Sequence, residues 1–300
     1  MDEKIKKKID EAWSGQWGKK ASAPRNDWWD SPHIIRHINK TICGEELEGW
    51  NAGPIKLLRQ VMPPDHILDE AVSVGCGTAL KEMHLLQEGL VRHFTCFDLS
   101  ETAIALAKEA AEERGLSDRI LLLQEDFFES EYADMTYDMV FWDNSLHHML
   151  DASYAIQKSY DILNDGGVFF CHDYVGKNRF QLSDIELAII NGVRVMLPDS
   201  IFQMDGETRF GRRVVCPSWE SMVNMDPSEA ADSQAILPGI ARVFPEALVI
   251  PTGGLIYFGC LGGILNQIDE GSPLLEYLLS MDDEVTRMGL TIYAFALAVK

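Results

Sequence analysis

Between residues 69 and 174 short apolar runs alternate with stretches of helical spacing, and few architectures accept that rhythm. Residues 71–74, 93–97, 120–123, 139–142 and 168–172 read as buried strands. Residues 80–89, 102–114 and 152–163 read as helices, with Asp151 placed to cap the last. Such alternation implies an α/β fold, a doubly wound and mostly parallel sheet with helices on both faces. The first strand runs into "VSVGCGTA", where Gly75 and Gly77 give a tight turn that lets backbone approach a ligand closely. Strand, glycine turn and helix form the plan of a nucleotide site at the carboxyl edge of a parallel sheet.

Around this core the chain divides into four parts. Residues 1–65 form a helical lead-in or lid, aromatic through Trp13, Trp17, Trp28, Trp29 and Trp50. Residues 66–174 are the nucleotide-binding core. Residues 175–245 read as an inserted lid, opening with a capping box at Ser183–Glu186. Residues 246–300 return to the sheet, with strands expected at 247–250, 255–260 and 291–299 and a helix at 273–288. The apolar "GGLIYFGCLGGIL" fits either a buried strand pair or a homodimer contact.

The net charge is −21, and such a surface repels phosphate backbones and anionic lipid. No nucleic-acid or membrane partner is therefore expected. Residues 176–245 carry nine acidic and seven basic side chains, so positive charge is concentrated there. The six cysteines show no metal-knuckle or redox spacing, the first residues are charged, and no apolar run is long enough to span a bilayer. The expected location is cytoplasmic, with reduced thiols.

A nicotinamide fingerprint needs G-x-G-x-x-G, and here the third position is Leu80. The turn therefore favours a ligand without a phosphate inside it. The second strand ends at Asp98, 23 residues after Gly75, where a carboxylate can accept from both ribose hydroxyls. The third ends in "LLLQEDFF", where Asp126 can take an adenine amino group and Phe127 can stack on the ring.

"VSVGCGTA", "FTCFDLS", "LLLQEDFF", "YDMVFWDNSLHHM" and "ILNDGGVFF" together resemble the class I S-adenosylmethionine-dependent methyltransferases, over residues 69–174. The resemblance implies a Rossmann-like sheet and S-adenosyl-L-methionine as cofactor. It implies that Gly75, Cys76 and Gly77 line the methionine part, that Asp98 and Leu99 meet the ribose, and that Asp126 and Phe127 meet the adenine. Asp143 and Asn144 would lie beneath the sulfonium. Two positions depart from the family: Ala79 stands where many members have a third glycine, and Ser73 where many have an acidic residue. "HDYVGKNRFQ" and "DPSEAADS" are similar to a bacterial subfamily that acts on small molecules.

The expected activity is methyl transfer to an oxygen or nitrogen of a small metabolite. An oxygen acceptor needs a base, an amine must arrive neutral, and a thioether needs neither. His147, His148 and Tyr174 are the candidate catalytic groups. His172, Arg179 and Arg212 are candidates for holding the acceptor, the arginines by forking onto an anion. Arg209 and Arg213 belong to the same basic cluster, for which surface ion pairing is the other reading. The histidine pair lacks a third ligand, so no metal is expected. Three alternatives remain open on sequence: S-methylation of a thioether amino acid such as methionine, aminopropyl transfer, and a non-catalytic cofactor-binding module.

Overall fold

A computed structural model of the chain describes residues 1–20, 27–204, 207–208 and 210–300. Helices α1 (Glu3–Lys20), α2 (Pro32–Cys43) and α3 (Ala52–Val61) make the lead-in. Ser31 starts α2 by accepting from the Ile34 N–H, Pro32 fits its first turn, and Gly44 ends it at φ +79°. The spacing of Ile34, Ile35, Ile38 and Ile42 then buries one face of that helix.

The core follows as β1 (Leu68–Val74), α4 (Leu80–Gln87), β2 (Val91–Asp98), α5 (Glu101–Glu113), β3 (Ile120–Gln124), β4 (Tyr137–Asp143), α6 (Ala152–Ile162) and β5 (Leu163–Tyr174). Next come α7 (Asp184–Met196), a hairpin of β6 (Gln203–Met204) and β7 (Glu207–Thr208), α8 (Trp219–Met225) and α9 (Ile236–Val243). The chain closes with β8 (Leu248–Gly253), α10 (Pro273–Arg287) and β9 (Tyr293–Val299). The main sheet has seven strands in the order β3-β2-β1-β4-β5-β9-β8. The first five are parallel, and β9 and β8 add antiparallel pairs. This is the expected doubly wound Rossmann-like sheet. Its strand order reverses between β1 and β4, which opens a crevice at their carboxyl ends.

Both faces of the sheet are packed, as parallel strands require. On one side Phe141, Phe170, Tyr174 and Phe295 join the lead-in helices, α7 and α10. On the other, Trp142, Phe169 and Cys171 meet Ile156 of α6 and Ile240 of α9. Each large side chain taken fully from water contributes about 1.5–3 kcal/mol before the entropy of ordering it. Helix α9 belongs to this second layer, so the segment 175–245 ends in a core helix rather than in a lid.

Residues 255–260 are not the expected strand. They form one π-helical turn, Leu255–Cys260. Gly253 and Gly254 turn the chain at φ +87° and +102°, and the buried Asp282 carboxylate accepts from the Gly254 and Ile256 N–H groups at 2.8 and 2.6 Å. An apolar run this short carries no periodicity that separates strand from buried helix. Leu255, Ile256, Tyr257, Cys260, Leu261 and Ile264 are all buried within the chain.

Candidate active site

The glycine turn after β1 and the turn after β4 touch. A Cβ on Gly75 (φ +72°) would lie 2.9 Å from the Ser145 Cβ, which is why only glycine fits there. Gly77 (φ +55°) donates its N–H to Asp98 Oδ2 at 2.8 Å, and Ser100 N–H donates to Asp98 Oδ1 at the same distance. Asp98 therefore ties the glycine turn to the start of α5. Burial raises its carboxyl above the usual range, against the two N–H donors. The Leu99 carbonyl accepts from Gln124. Asp126 caps a short 3-10 turn by accepting from Phe128 N–H at 3.1 Å, and Phe127 packs edge-on against Phe97.

Past β4, Asn144 is held at φ +61°, and its side-chain Oδ1 is buried with no partner. Asp143, next to it, is already engaged: Oδ1 accepts from Lys81 Nζ at 2.5 Å and Oδ2 from Asn51 Nδ2 at 2.6 Å. Of the pair expected beneath the sulfonium, Asn144 has the oxygen with no partner, while each Asp143 oxygen already accepts a hydrogen bond.

One candidate site residue escapes the sequence reading. Ser73 Oγ donates to Glu82 Oε1 at 2.6 Å, and Glu82 Oε2 is buried and unpartnered. The acidic group missing from position 73 is thus supplied from the first turn of α4. Burial raises the Glu82 carboxyl to about 7, against the hydrogen bond from Ser73. A raised carboxyl stabilises the fold fully below its unfolded pKa and loses that contribution as pH rises through the folded value. Glu82→Gln is therefore expected to remove a fall in melting temperature between about pH 4.5 and about pH 7. Melting curves of both proteins across that window check this.

A second cluster lies between β4, β5 and the segment 226–231. Asp173 is fully buried and accepts four N–H bonds, from Ser145, Leu146, Tyr174 and His147 Nδ1, the last at 2.5 Å. His147 Nε2 lies 3.5 Å from Glu229 Oε1. Burial opposes charge on His147, yet the carboxylates of Asp173 and Glu229 outweigh it and raise the ring to about 10. His148 moves the other way, lowered by burial and by its charged neighbour, and its Nδ1 meets Ser228 Oγ at 3.2 Å. The two rings are 4.0 Å apart, and Trp13 of α1 stands edge-on to His148 at 5.0 Å. Glu229 is 81 residues beyond His148, which hid it from local motif reading.

Other expected site residues are spent elsewhere. The Tyr174 hydroxyl donates to the Lys177 carbonyl at 3.0 Å inside an aromatic cluster. His172 faces Trp28, Tyr293 and Phe295 and reaches Thr252 Oγ1 at 3.3 Å. It lines a cavity of about 10 Å³, room for one water at most. Arg179 donates to the carbonyls of Asp226, Pro227 and Glu229, at 2.7 Å for Pro227, and so fixes the loop that carries Glu229. Arg212 holds Asp199 and the carbonyls of Arg194 and Leu197. Both guanidinium groups thus bond chiefly to the protein's own backbone, although Arg179 Nε is buried without a partner. Arg209 lies outside the described residues.

Helix α1 lies across this edge. Lys6 Nζ is 3.5 Å from Asp126 and 2.6 Å from Glu129, Ser14 Oγ is 3.0 Å from Ser100 Oγ, and a Cβ on Gly77 would come 3.1 Å from the Trp17 ring. Among the described residues no helix is long and apolar enough to cross a membrane, and all six cysteines are free.

Residues 72–171 match the family model described as a methyltransferase domain. The 27-O-demethylrifamycin SV methyltransferase of Amycolatopsis mediterranei is 27% identical over 36% of this chain and 39% of its own length. Sterol 24-C-methyltransferase ERG6B of Gibberella zeae is 24% identical over 45% of this chain and 35% of its own. The chain thus spans little more than a third of each of these relatives. Among solved structures, a geranyl diphosphate methyltransferase in complex with GPP and sinefungin superposes with a TM-score of 0.55 at 13% identity, covering 98% of both chains. Phosphoethanolamine N-methyltransferase 2 of Haemonchus contortus gives 0.52 at 16% identity, over 88% of this chain and 56% of that one. At these identities the superpositions speak for the fold, and the matched segment carries the glycine turn, Asp98, Asp126 and Asn144. Over residues 72–171 the chain is therefore similar to methyltransferase domains, on a sheet of the same fold as these solved structures.

Proposed function

We propose that this chain transfers a methyl group from S-adenosylmethionine to an oxygen or nitrogen of a small-molecule acceptor. The observation that carries this reading is the contact between the glycine turn and the Asn144–Ser145 turn at the strand-order reversal, with Asp98 tying the glycine turn and the Asn144 amide oxygen buried and unpartnered beside it. The residues fit the cofactor. Asp98 retains carboxylate lone pairs for the ribose hydroxyls, and Glu82 Oε2 offers an unpaired acceptor for an ammonium. Asn144 Oδ1 offers another, and Gly75 and Gly77 keep side chains out of the turn. Asp126 and Phe127 would flank the base.

When bound, the cofactor supplies a methyl group already activated by its sulfonium. What remains for the chain is alignment, exclusion of water and removal of a proton. His148, held below its ordinary pKa by burial and by the charged His147, can accept a proton from the acceptor, while His147 stays fixed on Asp173. A thioether acceptor would need no such group, so the histidine cluster supports oxygen or nitrogen. The test is incubation of the full chain with S-adenosylmethionine and a metabolite extract, with product methylation and S-adenosylhomocysteine release as readouts.

Two outcomes follow for parts of the site. Glu82→Gln is expected to weaken S-adenosylhomocysteine binding at least tenfold at pH 8, because a charge-assisted bond of about 1.5–3 kcal/mol becomes a neutral one. Calorimetric titration of both proteins decides it, and equal affinities would remove Glu82 from the site. Helix α1 covers Gly77 and Asp126 and has to yield as the cofactor enters. Hydrogen exchange across Glu3–Lys20 is expected to change on addition of S-adenosylhomocysteine, and an unaltered rate would show that entry leaves α1 in place.

A further inference from the structure

We infer that His147, His148 and Glu229 form a binding site for a first-row divalent metal ion such as Zn²⁺. The inference rests on the methyl-transfer reading and narrows the acceptor to a molecule with an oxygen that can join the metal. The three residues each present one ligand atom, all within 4.8 Å of one another. His147 Nε2 and Glu229 Oε1 are 3.5 Å apart. Two ligands of a tetrahedral ion with bonds of about 2.0–2.1 Å lie about 3.3 Å apart, so that edge needs almost no adjustment.

The surroundings are those a metal site requires. Ligating histidines ordinarily bind through one nitrogen while a carboxylate, carbonyl or hydroxyl holds the other. Asp173 holds Nδ1 of His147 at 2.5 Å, and Ser228 Oγ meets Nδ1 of His148 at 3.2 Å. Nδ1 is thus taken on both rings, which leaves Nε2 to the ion; on His147 the ion would displace the Nε2 proton that faces Glu229. Glu229 is positioned by Arg179, whose guanidinium grips the carbonyls of Asp226, Pro227 and Glu229 itself. Two imidazoles and one carboxylate suit Zn²⁺, Co²⁺ or Fe²⁺ better than Mg²⁺ or Ca²⁺, which prefer all-oxygen shells. Three protein ligands leave a coordination position open.

The cluster follows β4 by the same turn that carries Asn144, so an oxygen in that open position sits beside the cofactor crevice. An anionic or hydroxylated acceptor would then be held by the ion. His148 would serve as a ligand in place of a base.

The test uses the full chain, freed of metal with a chelator, titrated with Zn²⁺ by calorimetry and with Co²⁺ by visible absorption. Each sample is also titrated with S-adenosylhomocysteine. One equivalent of Zn²⁺ is expected with a micromolar or tighter Kd. His147→Ala is expected to weaken it at least 100-fold and Glu229→Gln at least tenfold, with tetrahedral Co²⁺ bands lost in both. Unchanged S-adenosylhomocysteine affinity shows that the variants are folded. The proposal is overturned if wild type binds no Zn²⁺ below millimolar, or if both variants bind it as wild type does. Loss of S-adenosylhomocysteine binding in wild type would instead overturn the methyl-transfer reading, whatever zinc does.

Discussion

Asp98→Ala is expected to raise the Kd for S-adenosylhomocysteine by about 10²–10⁴-fold. The carboxylate would accept from two ribose hydroxyls, each charge-assisted bond worth about 1.5–3 kcal/mol, and every 1.4 kcal/mol is about tenfold in affinity. The same oxygens accept from Gly77 N–H and Ser100 N–H at 2.8 Å, so the variant also frees the glycine turn from the start of α5. Asp98→Asn is expected to lose less, because its amide keeps one acceptor oxygen. Calorimetry on both variants reads the effect, and circular dichroism shows that the sheet survives. A change under threefold in Asp98→Ala would mean that the ribose lies elsewhere.

Asp173→Ala is expected to lower the melting temperature by about 5–10 °C. Removing one partner of a buried ion pair costs about 3–5 kcal/mol, because the other is left charged or orphaned. Here the loss is broader than one pair. Asp173 accepts from Ser145, Leu146 and Tyr174 N–H groups as well as from His147, all in a site that water does not reach. The backbone donors tie the β4 turn to the end of β5, so the Asn144 position should loosen with them. The double variant Asp173→Ala/His147→Ala is expected to lose less than the sum of the single ones, since the charge left behind is gone. A fall under about 2 °C in Asp173→Ala would show that these bonds hold the turn only weakly.

The parallel half of the fold is legible in the chain because its strands are short, apolar and separated by helices with clear caps. Asp151 caps α6 and Ser183–Glu186 closes a capping box, both as the local chemistry requires. Residues 255–260 mislead because six apolar residues carry no period, and the group that bends them, Asp282, arrives from α10. Range in sequence also separates the site residues that can be read from those that cannot. Gly75, Gly77, Asp126 and Asn144 follow strands of the parallel sheet and Asp98 ends one, so spacing alone brings these candidates to its carboxyl edge. Glu82 and Glu229 do not. The first completes Ser73 across a helical turn, and the second reaches His147 only through the fold of the segment 226–231. Arg179 and Arg212 mislead for the converse reason. Their charge reads as exposed, yet both guanidinium groups bond to the protein's own carbonyls, which composition cannot reveal.

Methyl transfer from S-adenosylmethionine to a small molecule can be followed by its label. The purified chain is incubated with methyl-labelled S-adenosylmethionine and a pooled metabolite extract, and label is measured in cofactor, small molecules and protein. Label appearing in one low-mass product, with an equal amount of S-adenosylhomocysteine and neither in Asp98→Ala, is the expected result. No binding at millimolar cofactor, or label that stays in the cofactor with every extract, would contradict it.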